Sequence, residues 1–272
     1  VLMLDRKAVY RQWVAVSRRL RGIPRPGAVD FGDLRRVNPV SRHFGVDRGT
    51  AIDRHYVERF LSRHAADIRG RVLEVGESTY TRHYGGDRVT HSDVLHVREG
   101  NPQATIIADL ADAPQIADAS FDCIVLTQTL HLIYDARAAV RTLHRLLKPG
   151  GVLLLTVPGI TQVPHGTDWA YTWYWAFTEL SVRRMLGEAF GDRNLVVEVG
   201  GNVLAATALL HGLAVEEFAV AGDAELAVDE LPVPQVFGVE AGAPGPERGR
   251  YQQRVMEGEA VAFAECQGPV VR

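Results

Sequence analysis

Residues 106–159 read IIADLADAPQIADASFDCIVLTQTLHLIYDARAAVRTLHRLLKPGGVLLLTVPG. Within them FDCIVLTQ (121–128) is an apolar run of strand length with no polar alternation, the pattern of a strand buried on both faces. From about Asp135 to Leu147 the apolar residues Val140, Leu143, Leu146 and Leu147 recur at helical spacing. LLKPGG stops that helix, because proline cannot continue it and glycine permits the reversal into the next strand. GVLLLTV (151–157) is that strand. A strand, a helix and a second apolar strand in this order predict a parallel sheet covered by helices.

The same alternation extends in both directions. Upstream, RVLEV (71–75), RVTHSD (88–93) and ATIIAD (104–109) read as strands, and a helix from Ala51 to Ile68 places Ile52, Tyr56, Phe60 and Leu61 on one side. Downstream follow a helix over 178–188 with Thr178 as N-cap, a strand over 194–200, a helix over 203–218 and a strand over 234–241. The expectation is an α/β, Rossmann-like, seven-stranded and mostly parallel sheet with helices on both faces. It carries an N-terminal helical extension, since Val9, Trp13, Val16 and Leu20 share a helix face within residues 4–20. The expected domains are residues 1–49 (helix and loop-rich extension), 50–241 (α/β domain) and 242–272 (a glycine- and proline-rich tail).

The chain of 272 residues has a net charge of −3, 46% hydrophobic and 23% charged residues. This composition suits a globular protein and argues against a general nucleic-acid binder. Two cysteines form no secretory disulfide framework. Asp5, Arg6 and Lys7 interrupt any signal-peptide core, and no window has the roughly 18 apolar residues of a membrane span. A cytoplasmic protein without a membrane or nucleic-acid partner is expected, with room for a homodimer.

In open α/β sheets, ligands bind at the carboxyl ends of the strands, near the point where strand order reverses. VLEVGESTYTRHYGG puts Glu74 and Gly76 at the end of the first strand, where a glycine lets backbone amides approach a ligand. Asp93, at the expected end of the second strand, offers acceptor oxygens to a ribose diol. Asp109 and Leu110, ending the third, suit an adenine amino group and ring face.

The acidic end of the third strand, the FDCI entry to the fourth, LLKPGG and the apolar fifth strand together resemble the class I S-adenosylmethionine-dependent methyltransferases, over residues 50–241. The resemblance implies S-adenosylmethionine as cofactor, with Glu74 and Gly76 at its methionine moiety, Asp93 at the ribose, Asp109 and Leu110 at the adenine, and Gln128 and Thr129 beneath the sulfonium. The family pattern E/D-x-G-x-G-x-G is incomplete here: EVGESTY keeps only Gly76, and Ser78 or Thr79 offers a hydroxyl in place of a backbone contact.

Methyl transfer from a sulfonium is an in-line displacement that chiefly needs alignment. A hydroxyl acceptor benefits from a base, and His131, just past the fourth strand, is the first candidate, with His165 the second. The loop after the fifth strand carries Trp169, Tyr171, Trp173 and Trp175, whose faces suit a sugar or another ring. No histidine, cysteine and carboxylate set has metal-ligand spacing, so a metal-independent reaction on a small-molecule acceptor is expected, at oxygen in preference to nitrogen. A sugar or glycosylated natural product is the favoured acceptor. Two other readings compete. An NAD-dependent oxidoreductase needs a fuller glycine motif, and a partner protein that kept the fold but lost transfer is allowed by the altered loop.

Overall fold

Side chains alternate across a strand, so a strand covered on both faces is apolar at most positions. In the computed structural model, which describes residues 28–30, 32–164, 171–218 and 236–243, the strands are Gly70–Val75 (β1), Val89–His96 (β2), Ile106–Ile107 (β3), Phe121–Thr127 (β4), Leu147–Pro158 (β5), Leu195–Gly200 (β6) and Val236–Gly242 (β7). They form one sheet in the order β3-β2-β1-β4-β5-β7-β6. β1 to β5 are mutually parallel, and β7 inserts antiparallel between β5 and β6. The order reverses between β1 and β4, which makes their carboxyl ends the expected ligand crevice.

Val72, Cys123, Val125 and Leu154 face one way, packed under the helices Ile52–Arg63 (α1) and Val203–His211 (α4). Leu73, Ile124, Leu126, Leu153 and Leu155 face the other, under Ala136–Leu146 (α2) and Glu179–Phe190 (α3). A register shift between Phe121 and Cys123 lets Phe121 join the same face as Ile124. The helix ends follow local chemistry. Asp135 caps α2 by accepting from Ala138 N, and Thr178 and Ser181 form a reciprocal box at the start of α3.

Five boundaries differ most from expectation: β5 begins at Leu147, four residues before the expected Gly151, with LKPGG inside the strand. β2 runs three residues past Asp93, and β3 is shorter than 104–109. α1 stops at Arg63 instead of Ile68, with a separate turn over Ala65–Asp67. The helix expected over 203–218 ends at His211, because Gly212 takes a left-handed conformation (φ 67°) and a Cβ there would lie 2.2 Å from the Ser41 carbonyl oxygen. The chain divides into units 1–38 and 39–272; of the first, the described part holds a short turn over Gly32–Leu34. The expected helix over 4–20, His165, Trp169 and the tail beyond 243 lie outside the described residues. Among the described residues, no helix is long and apolar enough to cross a membrane.

Candidate active site

β1 ends in a turn that Glu74 organises. Its carboxylate, 2% exposed, accepts from the backbone amides of Tyr80 (3.2 Å) and Thr81 (2.7 Å). It thereby anchors the short helical stretch around Thr81–Gly85. Burial raises the Glu74 pKa, and the amide hydrogen bonds pull in the opposite direction. The buried carboxylate thus shapes the loop after β1. Gly76 (φ 92°) has no heavy atom within 4 Å of where a Cβ would stand, so the loop is open to a ligand there. Its backbone is fixed on both sides, by Gly76 N donating to Leu95 O and Asn101 Nδ2 donating to Gly76 O. Ser78 is buried beside it.

Asp93 does not end its strand. It pairs in register with Leu73, inside the sheet, at 4% exposure. Its carboxylate accepts from Arg71 Nε (2.8 Å) and Thr105 Oγ1 (3.0 Å). The true end of β2 is His96, whose Nδ1 lies 2.7 Å from Arg98 O. Asp109 is exposed, and one carboxylate oxygen accepts from Ala111 N at 2.8 Å. Leu110 packs into the core with Leu73 and Leu95.

The end of β4 is the most unusual part of the site. Gln128 has a left-handed backbone (φ 44°), which costs a non-glycine residue about 1 kcal/mol or more. Its N–H donates to Thr156 O, yet its side-chain Nε2 is buried without a partner. Thr129 Oγ1 donates to Thr127 O and so closes the strand end. His131 sits in the next turn, 2% exposed, with Nδ1 buried and unpaired. Burial pulls its pKa down to about 3, so the imidazole is neutral at ordinary pH. A buried polar atom left unpaired costs about 1–3 kcal/mol, so both nitrogens are open to a hydrogen-bond partner.

The aromatic segment after β5 folds back onto this turn. Tyr174 and Trp175 both donate backbone N–H to His131 O, and Trp175 Nε1 donates to Ile133 O at 3.0 Å. The Trp173 ring lies 4.2 Å from the His131 ring and stacks on Phe44 at 6.1 Å. Tyr134, 72% exposed, stacks on Trp175, and Tyr171 also faces solvent. Of the expected wall, Trp173 therefore stands against His131, while Tyr171 and Trp175 face outward. Phe44 and Tyr134 had no signal in the sequence, because Phe44 lies in the loop-rich segment and reaches Trp173 only through the fold.

These features fit the cofactor that the sequence resemblance implies in most places: open space at Gly76, an unpaired amide at Gln128 and a solvent-facing carboxylate at Asp109. They do not fit at Asp93, whose carboxylate is already engaged.

The family model described as a methyltransferase domain matches residues 64–155. The chain is 27% identical over 81 residues to a probable polyketide synthase 5 of Dictyostelium discoideum, a match covering 29% of this chain and 3% of that protein. It is 44% identical over 45 residues to the ubiquinone/menaquinone biosynthesis C-methyltransferase UbiE of Klebsiella pneumoniae, covering 16% of this chain and 18% of that one. The matches thus span less than a fifth of the length of these curated relatives. Similar solved structures include the [4+2]-cyclase SpnF, at 17% identity and TM-score 0.47 over 73% of this chain and 84% of that one. A S-adenosylmethionine-dependent methyltransferase from Archaeoglobus fulgidus shows 14% identity and TM-score 0.47 over 69% and 93%. Residues 64–155 of this chain thus match a methyltransferase domain, in keeping with the resemblance that its sequence motifs carry.

Proposed function

We propose that this chain methylates an oxygen of a small molecule, a sugar or glycosylated natural product before an amine. The observation that carries the reading is the pair of buried, unpaired side-chain nitrogens, Gln128 Nε2 and His131 Nδ1, immediately after β4 in the methyltransferase domain. When bound, S-adenosylmethionine supplies a methyl carbon that leaves sulfur as an acceptor oxygen attacks it in line.

The residues of the chain do the rest. The Gly76 turn and Asp109 hold the donor, and the Gln128 amide supplies a hydrogen bond at the sheet edge. His131 receives the hydroxyl hydrogen of the acceptor, whose proton then passes to solvent. With its pKa drawn down to about 3 by burial, His131 is a weak base, so it contributes more by orienting the hydroxyl than by fully removing its proton. Trp173 and its neighbours keep water from the reacting atoms. Alignment of this kind needs no metal, and a chelator should leave turnover unchanged.

Incubation with trideuteromethyl S-adenosylmethionine and a panel of hydroxylated sugars, glycosides, phenols and amines tests the reading by mass spectrometry. Label on oxygen, with equal release of S-adenosylhomocysteine, is the expected result. Label only on nitrogen or carbon contradicts the acceptor assignment. Cofactor binding with no transfer to any class would favour a partner protein that kept the fold alone.

A further inference from the structure

The segment before α1 belongs to the site as much as the strands do. Val40 and Ser41 donate backbone N–H to His211 O, and Gln162 Nε2 donates to the carbonyls of Ser41, Leu209 and Leu210. Arg48 pairs with Glu217, and Thr50 donates to Glu216 from both its backbone N–H and its hydroxyl. The segment is thus fastened along its length to the end of α4 and the turn that follows. At its centre Phe44 has φ 59°, a left-handed conformation that a bulky side chain rarely takes. Strain of this kind persists only where the surroundings hold it, and it concentrates at binding sites. Here it carries the Phe44 ring to Trp173, with the planes 12° apart, and Trp173 in turn covers His131.

We propose that Phe44 is a specificity-determining residue: the Phe44–Trp173 stack, with the His131 ring tilted 54° against Trp173, is one wall of the acceptor site and receives a hydroxylated ring, with the hydroxyl hydrogen directed to His131 Nδ1. The inference rests on the methyl-transfer reading for the identity of the site, and on three observations of its own. One is the stack, the second the strained backbone that delivers Phe44 to it, and the third the unpaired ring nitrogen of a histidine that is 2% exposed. An aromatic face offers dispersion and CH–π contact to a pyranose or a phenol alike. A neutral imidazole nitrogen in a dry setting offers one hydrogen-bond acceptor, which a hydroxyl fills and a methyl ether cannot.

Calorimetry with two ring probes, catechol and methyl β-D-glucopyranoside, on the full chain saturated with S-adenosylhomocysteine tests the inference, with 1,2-dimethoxybenzene as the hydroxyl-free control. At least one hydroxylated probe should bind and the control bind at least tenfold more weakly; which probe binds distinguishes a phenol from a sugar. Phe44→Ala should weaken that probe tenfold or more, Phe44→Tyr should restore it, and both should bind S-adenosylhomocysteine as the parent does. If Phe44→Ala fails to fold, Phe44→Leu, which keeps bulk without a ring face, serves in its place. Binding of neither probe, or affinity within twofold of the parent in Phe44→Ala or Phe44→Leu, overturns the inference. Probe binding without any S-adenosylhomocysteine binding overturns the methyl-transfer reading and leaves the wall standing.

Discussion

Single residues at this site are governed by whether their polar atoms are already spoken for. Asp93 has the residue type of a ribose ligand, but Arg71 and Thr105 hold its carboxylate inside the sheet. Asp93→Ala should therefore cost stability, about 1–3 kcal/mol in urea unfolding from the partners left behind. Its effect on S-adenosylhomocysteine affinity should be under twofold; a tenfold loss of affinity with normal stability would restore the ribose role. His131 makes the opposite case, with a nitrogen that nothing holds. Its folded pKa of about 3 lies below the ordinary value of 6.5, so its stabilising contribution is complete above 6.5 and is lost as pH falls toward 3. The slope it adds in that window approaches about 1.4 kcal/mol per pH unit. His131→Gln should flatten the acid limb of the stability profile by that amount, and an unchanged limb would show that the histidine is not buried in solution.

At the scale of elements, legibility tracked burial. The passage from β4 through α2 to β5 was readable because strands covered on both faces leave an apolar record; β4 and α2 fell within a residue of their expected limits, while β5 began four residues early. β2 was cut short because Ser92 and Asp93 look like the polar end of a strand. The partner that hides Asp93 is Arg71, 22 residues away, and no local pattern reveals it. The altered glycine loop was legible as a departure but not as a solution, since the cap made by Glu74 depends on how the chain turns back after Ser78. Phe44 was invisible for the same reason. Gly212 illustrates a boundary set by one backbone angle: Gly212→Ala combines a positive φ with a 2.2 Å approach to Ser41 O. It should destabilise the fold by more than about 1 kcal/mol and loosen the segment that carries Phe44. Thermal unfolding together with amide exchange at residues 40–50 measures both effects, and exchange no faster than in the parent would separate Phe44 from α4.

Across the whole molecule, the sheet is tied to α1 by a charge cluster that the sequence scattered over three regions. His64 Nε2 lies 2.8 Å from Glu198 and Nδ1 lies 3.2 Å from Glu240, while Arg63 pairs with Glu198. The oxygens of Asp67 and Glu240 and a His64 nitrogen lie within 4.8 Å of one another, a set with metal-ligand chemistry that linear spacing did not reveal. Burial works to lower the His64 pKa, but the two carboxylates outweigh it and push the value up to about 9. The resulting stabilisation is complete below 6.5 and is lost as pH rises through 9, the reverse of the His131 dependence. His64→Gln should remove the alkaline limb of the stability profile, and an alkaline limb that persists would place its origin elsewhere.

The cofactor claim stands above all of these. Calorimetric titration of the full chain with S-adenosylhomocysteine, and separately with NAD, tests it most directly. One S-adenosylhomocysteine per chain and no heat from NAD is the result predicted by the open Gly76 turn and the unpaired Gln128 amide. Binding of NAD alone, or of neither, would contradict it.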